Sequence, residues 1–449
     1  MTNRMTTKTI SEYGYIYFEE PKYLNDKFTH ERITENEFNE LLEYWTDIDN
    51  NQSILEYTGK KYFKATSYVG VIQSKTLSIE ILPKIYKNPE ENEEIRKTYR
   101  NIFIKMLKPL LNINEVQINK ANLSRIENKN IYEIFINMFI EYLDELIHKG
   151  LKSSYISKED NQYFLKGKLK FNQHIKQNYI RKERFYVEFD EYMSDRVENR
   201  LLKSTIELLL KKTNDYENKR KLRQQLFIFD EVNISTNFDI DISKINLHRG
   251  MEYYEIPVRF AKVFLKHQSF TSLRGKDNVF ALLFPMETVF EKYMEFVLNN
   301  SKDRLGIKNV YINGRRDEYL LCDGKCKMAR LQPDYLLEMV KGKDIITDAK
   351  WKQIIPKENE SKGCDTVNVS SGDVYQIFSY LHYYNARNTA YLFVPKTENF
   401  KENQILTYSM SHTVMKTESK KIKIIPIDLE SLIKNHKFAL DKDIFNEPR

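Results

Sequence analysis

The chain is poor in cysteine and contains no long apolar run. Its 449 residues include 3 cysteines, too few for a disulfide framework, so we expect a reducing compartment. No stretch approaches the roughly 18 apolar residues that a membrane-spanning helix needs, and residues 1–8 lack the apolar centre of a signal peptide. We therefore expect a cytoplasmic protein with no membrane partner.

The sequence also lacks a phosphate-binding loop of the Gly-x-x-x-x-Gly-Lys-Ser/Thr type, so we expect this chain itself to bind no nucleotide. Hydrophobic residues make up 41% and charged residues 30% of the chain, a composition that excludes disorder. The length suits two or three domains. The net charge of +7 permits a nucleic-acid partner without requiring one.

The hydrophobic pattern predicts three regions of a multidomain α+β protein. Residues 1–125 form a strand-rich N-terminal region, residues 126–275 a mainly helical middle region, and residues 276–449 an α/β region. The elements expected within them are strands at 68–74 and 77–84, a helix ending near residue 111, helices at 131–151 and 198–212, a strand and basic turn at 164–171, a helical stretch at 211–223, and a hairpin at 319–329.

The stretch that carries most chemistry begins at Asp334 and continues, across one predicted turn, to Asp348 and Lys350. Residues 335–340 and 344–351 predict two paired strands. Because side chains alternate between the faces of a strand, Asp348 and Lys350 share a face. An acid and a lysine on an apolar strand are costly to bury unless something uses their charges.

Two predicted helices accompany these residues. Residues 288–297 predict a helix that carries Glu291 near its start. A second helix, from residue 372 onwards, places Gln376 and Tyr380 four residues apart on one face. In a nuclease, these two side chains would hold the phosphate backbone or shape the site.

These residue types suit metal-assisted cleavage of a phosphodiester. Mg²⁺ prefers hard oxygen ligands, which Asp334, Asp348 and the Ala349 carbonyl could supply, and Mn²⁺ is the alternative ion. The metal would activate a bound water. Lys350 would orient that water or help to deprotonate it, and would neutralise the charge developing on the phosphate. Glu291 would be a further ligand or would support the site from outside.

Each assignment has a structural alternative. Other acid-x-Lys triplets occur at residues 127–129, 217–219 and 418–420. Asp348 and Lys350 could instead form an ion pair on an edge strand, and Asp334 could begin a turn. Glu291 and Gln376 could be solvent-facing helix residues. The features that distinguish Asp348 are its apolar strand, the Pro-Asp pair 14 residues upstream and the Gln-x-x-x-Tyr helix downstream.

The order of these elements resembles the PD-(D/E)xK nuclease superfamily, in the version with a trailing Gln-x-x-x-Tyr helix. Further segments are similar to the McrC family, namely residues 69–84, 164–169, 198–203 and 286–293. The similar segments run in order from about residue 65 to about residue 395, and so they cover most of the chain.

The resemblance implies a C-terminal PD-(D/E)xK α/β nuclease domain with a mixed central sheet. McrC proteins are the DNA endonuclease subunits of modification-dependent (type IV) restriction complexes. They assemble with an AAA+ GTPase, McrB, whose own domain reads the modified base. The implied partners are therefore a McrB-type GTPase, in a hetero-oligomer, and modified double-stranded DNA. The N-terminal region, residues 1–125, is implied to contact and stimulate the motor.

Carried over by position, the catalytic residues are Asp334, Asp348 and Lys350, supported by Glu291, Gln376 and Tyr380. The metal would be Mg²⁺ bound by Asp334, Asp348 and Ala349. Two other functions stay open at this point. One is a nuclease that works alone in DNA repair, and the other is a non-catalytic activator of the motor.

Overall fold

The computed structural model describes residues 6–20, 28–46, 54–57, 61–74, 76–85, 93–111, 129–272, 280–314, 318–322, 327–354, 356–359, 364–384, 386–397, 400–401, 404–409, 420–435 and 442–445. The chain divides into two compact units. The first comprises Met1–Asn128 together with Ala281–Arg449, and the second comprises Lys129–Phe280. Two segments that are distant in sequence therefore build one unit.

Runs of strands and runs of helices follow one another along the described part of the chain. The strands are β1 (Thr6–Ser11), β2 (Tyr15–Tyr17), β3 (His30–Arg32), β4 (Leu55–Tyr57), β5 (Tyr62–Ala65), β6 (Tyr68–Gln73), β7 (Leu77–Leu82), β8 (Ser154–Gln162), β9 (Lys168–Leu169), β10 (Phe185–Met193), β11 (Phe280–Pro285), β12 (Ile307–Ile312), β13 (Glu318–Cys322), β14 (Lys327–Leu331), β15 (Tyr335–Met339), β16 (Ile345–Ala349), β17 (Pro356–Asn359), β18 (Cys364–Val367), β19 (Thr389–Pro395), β20 (Leu406–Ser409) and β21 (Lys421–Ile427). The α-helices are α1 (Glu35–Thr46), α2 (Glu93–Leu110), α3 (Ile131–Lys149), α4 (Phe171–Asn178), α5 (Val197–Lys212), α6 (Tyr216–Ile228), α7 (Phe238–Ser243), α8 (Glu255–Ser272), α9 (Met286–Asn300), α10 (Lys302–Leu305), α11 (Ser371–Tyr383) and α12 (Leu429–Asn435). Short 3₁₀ helices occupy Glu252–Tyr254 and Lys442–Phe445. None of the helices that the structure describes is long and apolar enough to cross a membrane.

A six-stranded mixed sheet lies in the first unit, with the strand order β12-β15-β16-β19-β21-β20. β15 is antiparallel to β12 and β16, whereas β16, β19 and β21 run parallel to one another. β16 and β19 are buried along their whole length, as is usual for parallel strands that are covered on both faces. Helices α9 and α11 both contact β16.

A second sheet joins the two sequence segments of the first unit, with the strand order β1-β7-β6-β11. Gly70 in β6 has a φ of +144°, and a Cβ at this position would lie 2.0 Å from the Leu282 carbonyl oxygen in β11. Glycine is required because the two backbones approach too closely for any side chain. The N-terminal strands are thereby fixed to the segment that leads into α9.

The second unit has its own core, built from α3, α5, α6 and α8 beside the three-stranded sheet β8-β10-β9. The rings of Phe139 and Phe260 pack with their centroids 6.4 Å apart. Glu133 is buried in α3 and accepts hydrogen bonds from Thr213 Oγ1 at 2.6 Å and Asn218 Nδ2 at 2.8 Å. These bonds satisfy a buried carboxylate and tie α3 to the start of α6.

The mixed α+β class is confirmed, with several sheets in one chain. The strands expected at 68–74 and 77–84 are present as β6 and β7, and the helices expected at 131–151 and 198–212 as α3 and α5. The hairpin expected at 319–329 is present as β13 and β14, although its turn lies outside the described residues. The division into three regions stays a prediction.

Of the strand and basic turn expected at 164–171, the turn is present at Gly167, but the strand is limited to Lys168–Leu169, which pairs with β10. Gly167 has a φ of +72°, and a Cβ there would lie 2.3 Å from the Glu188 carbonyl oxygen. The chain therefore turns tightly against β10 at this glycine. Helix α4 then begins at Phe171.

The helical stretch expected at 211–223 is also wrong at its N-terminal end, because the observed helix begins later in the sequence. Helix α5 ends at Lys212, and the new helix α6 begins at Tyr216. The break is stabilised by Asp215, whose side chain accepts a hydrogen bond from the Asn218 backbone N at 2.9 Å. An aspartate in this position satisfies one of the free N–H groups at a helix start and so favours a new helix.

Candidate active site

The six-stranded sheet brings Asp334 and Asp348 to the same place. In the antiparallel pair β15 and β16, Tyr335 lies opposite Thr347. Asp334, which precedes Tyr335, and Asp348, which follows Thr347, are therefore neighbours. Asp334 Oδ2 accepts a hydrogen bond from the Ala349 backbone N at 2.8 Å. Two acids separated by 14 positions in the sequence thereby become part of one group.

Asp348 is a buried charge whose side chain is 1% exposed. Lys350 Nζ lies 2.9 Å from its Oδ2. Within the part of the chain that the structure describes, Asp348 Oδ1 accepts no hydrogen bond, and Oδ2 has the Lys350 ammonium as its partner. Burying a carboxylate in this state costs free energy, which an ion pair alone does not recover in full. A use beyond stability therefore fits this side chain better than an edge-strand ion pair.

The charges of the group shift the pKa values of its members. Burial alone lowers the pKa of Lys350, but Asp348 and Asp334 outweigh burial and raise that pKa above its usual range. Burial and the charge of Asp348 raise the pKa of Asp334 well above its usual value. Lys350 is therefore an ammonium at neutral pH, which suits it to stabilise negative charge or to orient a water.

Glu291 lies near this group without joining it. The Tyr335 hydroxyl donates a hydrogen bond to the backbone carbonyl of Glu291 at 2.5 Å. Burial raises the pKa of the Glu291 carboxyl, Lys350 lowers it, and Asp348 raises it further. Among the residues that the structure describes, no three His, Cys, Asp or Glu side chains form a group that could hold a metal ion. Glu291 thus influences the two aspartates through its charge.

Gln376 and Tyr380 form a chain of hydrogen bonds that ends next to Asp334. Gln376 Nε2 donates to the Tyr380 hydroxyl at 2.8 Å, and that hydroxyl donates to the Gln332 carbonyl oxygen, also at 2.8 Å. Tyr380 is 3% exposed. Because Gln332 lies two positions before Asp334, helix α11 fixes the backbone that leads into the aspartate.

Two residues at this site were not found from the sequence, Glu12 and Trp351. Glu12 is fully buried and accepts hydrogen bonds from Trp351 Nε1 at 3.0 and 3.1 Å and from the Lys84 backbone N at 2.8 Å. The Trp351 ring also packs on Phe290, with the ring centroids 5.4 Å apart. Trp351 directly follows Lys350, but its contact with Glu12 spans 339 positions, so no local pattern could reveal it.

Lys352 and Asp373 form a further ion pair that the sequence did not reveal. Lys352 Nζ lies 2.6 Å from Asp373 Oδ2. Ser370 caps α11 and also donates to Asp373 Oδ2 at 2.6 Å. Although burial raises the pKa of Asp373, these partners lower it overall, with a further contribution from the charge of Lys350. The pair attaches the segment after β16 to the start of α11.

The oxygen atoms at this end of the sheet fit a hard divalent cation. Asp334 and Asp348 supply two carboxylates, the second of which is buried with its Oδ1 unpartnered among the described residues, and the backbone of Ala349 adjoins both. Protein sites for Mg²⁺ are commonly built from one or two carboxylates, completed by waters and substrate phosphates. Mg²⁺ or Mn²⁺ therefore suits this donor set, with the Ala349 carbonyl as the third candidate ligand.

The fold and the site together define an α+β protein with a buried acid–lysine group at the end of a mixed sheet. The profile of the family described as "McrBC 5-methylcytosine restriction system component" matches residues 63–395, which is more than half of the chain. The chain belongs to this family. No curated protein sequence matches it.

Among the solved structures that resemble the chain are two from Thermococcus gammatolerans. The first is from a refined half-complex of a tetradecameric assembly of Thermococcus gammatolerans McrB AAA+ hexamers with bound McrC. It is 18% identical with a TM-score of 0.64, covering 96% of this chain and 99% of that chain. The second is from the cryo-EM structure of the Thermococcus gammatolerans McrBC complex, 20% identical with a TM-score of 0.48, covering 66% of this chain and 88% of that chain. The first likeness establishes a shared fold over nearly the whole of both chains.

Proposed function

We propose that this chain is the DNA endonuclease subunit of a modification-dependent restriction complex of the McrBC type. The observation that supports the proposal most is the state of Asp348, a carboxylate buried beside Asp334 whose only partner among the described residues is the Lys350 ammonium. A side chain in this state is costly to retain for structure alone. Membership of the restriction family supports the same function.

In this proposal the C-terminal part of the chain is a PD-(D/E)xK nuclease domain, and its six-stranded sheet carries the active site. Mg²⁺ held by Asp334, Asp348 and the Ala349 carbonyl would supply Lewis-acid activation of a water. Lys350 orients the attacking water and stabilises the negative charge that develops on the phosphate. Glu291 adds a nearby negative charge that favours cation binding.

Tyr380 and Gln376 act as positioning residues in this proposal. The Tyr380 hydroxyl is occupied by the Gln332 carbonyl and by Gln376, so it holds the backbone before Asp334. A nuclease site needs its ligands held within a fraction of an ångström of the productive geometry. Loss of this hydrogen-bond chain would therefore loosen one metal ligand.

We further propose that the nuclease works in a hetero-oligomer with an AAA+ GTPase of the McrB type. The structure that shares the fold at a TM-score of 0.64 is described as McrB AAA+ hexamers with bound McrC, and the likeness covers nearly all of both chains. The partner would hydrolyse the nucleotide and read the modified base, and residues 1–125 of this chain would contact the motor. The complex would cleave modified double-stranded DNA in the cytoplasm.

The test is cleavage of a methylated plasmid by this chain mixed with its McrB-type partner, in Mg²⁺ and GTP. We expect cleavage to require both proteins and to disappear in Asp348→Asn and Lys350→Ala. The loss for each variant should be at least about 100-fold, because each removes a group that acts in the transition state. The Lys350→Ala variant should still stimulate GTP hydrolysis by the partner.

Two matched controls separate chemistry from charge. Asp303→Asn and Lys308→Ala change an acid and a lysine of the same unit, on α10 and β12, and both should cleave normally. Cutting by this chain alone without nucleotide would instead support a free-standing repair nuclease. Stimulated GTP hydrolysis with no cutting of any DNA would support a non-catalytic activator, and full cleavage by Asp348→Asn would refute the proposed site.

A further inference from the structure

A cleft of about 300 Å³ opens beside the segment that follows Lys350. Tyr13, Phe28 and Lys84 line it on the N-terminal side, and Lys352 lines it on the side of β16. All of these residues belong to the first unit. The volume is at the lower end of the range for small-ligand sites, which suits a single nucleotide rather than a duplex.

The cleft adjoins the proposed active site through Lys352. The Lys352 backbone N donates a hydrogen bond to the Lys350 carbonyl oxygen at 2.9 Å, so the chain bends sharply after β16. Lys352 Nζ then pairs with Asp373, and the charge of Lys350 also acts on Asp373. The Asp373 carboxylate therefore pairs with the lysine that lines the cleft and also lies within the electrostatic reach of the active-site lysine.

The walls of the cleft combine cations with aromatic faces. Lys84 Nζ lies 3.7 Å from the centroid of the Phe28 ring. The ring of Tyr13, which is 38% exposed, has its centroid 6.1 Å from that of Phe28. Ammonium groups bind phosphate oxygens and aromatic faces stack on bases, so this combination is typical of sites that bind a nucleic-acid strand without reading its sequence.

The backbone of Tyr13 supplies a separate observation. Its φ is +63°, in the left-handed region where a bulky residue is strained and glycine is favoured. The turn between β1 and β2 thus holds an aromatic ring at the cleft although glycine would fit the backbone better. Strain of this kind persists where the side chain has a use other than folding.

The cleft is held in shape by hydrogen bonds between its two walls. Gln353 Nε2 donates to the Lys84 carbonyl oxygen at 3.0 Å. Beneath them, Glu12 binds both the Trp351 indole and the Lys84 backbone N. The cleft is therefore formed before any ligand arrives, which lowers the cost of binding.

We propose that this cleft binds one nucleotide of the DNA strand next to the phosphate that is cut, after its base has left the duplex stack, with Lys84 and Lys352 at phosphate oxygens and Tyr13 against the base. The inference rests on the proposed nuclease function. It adds a strand-binding subsite whose cation and ring come from the N-terminal segment of the chain. That segment would then contribute directly to substrate binding.

The first test measures the affinity of the full-length chain for a short fluorescein-labelled DNA duplex by anisotropy, at several salt concentrations. The Asp348→Asn background is used so that no cleavage occurs. Log affinity falls linearly with log salt concentration, and adding Lys84→Ala should make this negative slope shallower by about one, as expected when one phosphate contact is lost. Lys84 is chosen because a Lys352 variant would also release Asp373.

The matched control is Lys308→Ala. Lys308 is exposed on β12, and the register of β12, β15 and β16 places it at the end of the sheet opposite Ala349. This variant should leave the slope unchanged. Equal slopes for Lys84→Ala and Lys308→Ala would overturn the proposal, as would the absence of any salt-dependent duplex binding.

The second test is Tyr13→Gly, which removes the ring and relieves the backbone strain. We expect duplex affinity to fall about tenfold, the effect of losing one base–aromatic stack, while the melting temperature stays within a few degrees of the parent's. Unchanged affinity in this folded variant would overturn the role of Tyr13.

These binding results are independent of the cleavage assay. If no combination of partner, metal and nucleotide gives cleavage, but Lys84→Ala lowers the slope and Tyr13→Gly weakens binding, the nuclease proposal fails and strand binding in the cleft stands. If the complex cleaves DNA normally while both variants bind like the parent, the nuclease proposal stands and the subsite is refuted.

Discussion

Single side chains at this site carry interactions that reach well beyond their own strand. Asp348 is buried beside Lys350, Tyr380 holds the Gln332 carbonyl, and Glu12 holds the Trp351 indole. The burial of the Asp348 carboxylate is unfavourable, whereas Tyr380 and Glu12 form hydrogen bonds that satisfy their partners. Substitution of a satisfied buried group leaves its partner unbonded, so its cost appears in stability as well as in activity.

The Tyr380→Phe variant should lose both stability and cleavage. Removal of the hydroxyl leaves the Gln332 carbonyl and the Gln376 amide without this partner, which costs about 1–3 kcal/mol of unfolding free energy. Cleavage should fall while the KM for DNA changes little, because the loosened residue is Asp334 rather than a DNA contact. Urea unfolding and steady-state cleavage measure these effects. Tyr375→Phe, on the same helix but 69% exposed, is the control and should change neither.

Glu12 predicts a pH dependence of stability. Burial raises its pKa from 4.5 to about 7, against the effects of the Lys84 backbone, Trp351 and the Lys84 charge, and with a further rise from Glu287. Between these two pH values the folded state keeps the proton and the unfolded state does not. The contribution of Glu12 to the free energy of unfolding is therefore fully present below about pH 4.5. It falls by roughly 3 kcal/mol as the pH rises to about 7.

The measurement compares the wild type with Glu12→Gln, which cannot titrate, by chemical unfolding at about pH 5 and about pH 8. We expect the stability of the wild type relative to the variant to fall by roughly 3 kcal/mol between the two conditions. The comparison cancels the titration of all other groups. If both proteins lose the same free energy, Glu12 keeps an ordinary pKa in the folded chain.

At the scale of elements, the site depends on β16, which pairs with an antiparallel strand on one side and with a parallel strand on the other. β16 is antiparallel to β15, which brings Asp334 beside Ala349, and parallel to β19, which keeps the strand fully buried. Helix α11 supplies Tyr380 from one side, and α9 packs on Trp351 through Phe290. The geometry of the site therefore follows from the packing of several neighbouring elements.

The Gly70→Ala variant tests the closeness of β6 and β11. A Cβ would lie 2.0 Å from the Leu282 carbonyl oxygen, and the φ of +144° is unfavourable for alanine. We expect a loss of about 3 kcal/mol or more in unfolding free energy, because the two backbones must separate. Gly306→Ala is the control, since its φ of +67° strains alanine but nothing lies within 4 Å, and it should cost about 1 kcal/mol. Equal losses would mean that the strands are not in close contact.

At the scale of the whole molecule, the first unit is assembled from both ends of the sequence. β1, β6 and β7 share a sheet with β11, and Glu12 binds Trp351. The second unit is one continuous segment, Lys129–Phe280, with its own buried aromatic core and the Glu133 hydrogen bonds. A continuous segment with its own core can fold alone, whereas half of a shared sheet cannot.

Fragments test this division. Residues 129–280 expressed alone should show cooperative thermal unfolding by circular dichroism. Residues 281–449 alone should lack it, because β11 has lost its partner β6 and Trp351 has lost Glu12. Co-expression with residues 1–128 should restore a cooperative transition. Independent folding of 281–449 would show that the shared sheet contributes little to its stability.

The proposed site could be anticipated from the sequence because its main residues are close in the chain. Asp334 directly precedes β15 and Asp348 lies on β16, and a short turn joins these two strands, so side-chain alternation and hairpin pairing are enough to bring the two acids together. The helix that carries Tyr380 was expected as well, but the contact of its hydroxyl with the Gln332 carbonyl was not. Local patterns show which face a residue occupies and do not show which partner meets it there.

Composition and periodicity by themselves determined the α+β class and the positions of some strands and helices, among them β6, β7, β15 and β16, because these follow from interactions among residues near in sequence. Only the tertiary structure decided that residues 1–128 and 281–449 form one unit, and that Glu12 meets Trp351 across 339 positions. It also decided that Tyr13 and Lys84 line one cleft together with Lys352. Those contacts depend on how sheets and helices pack around a common core, which no short segment of the sequence specifies.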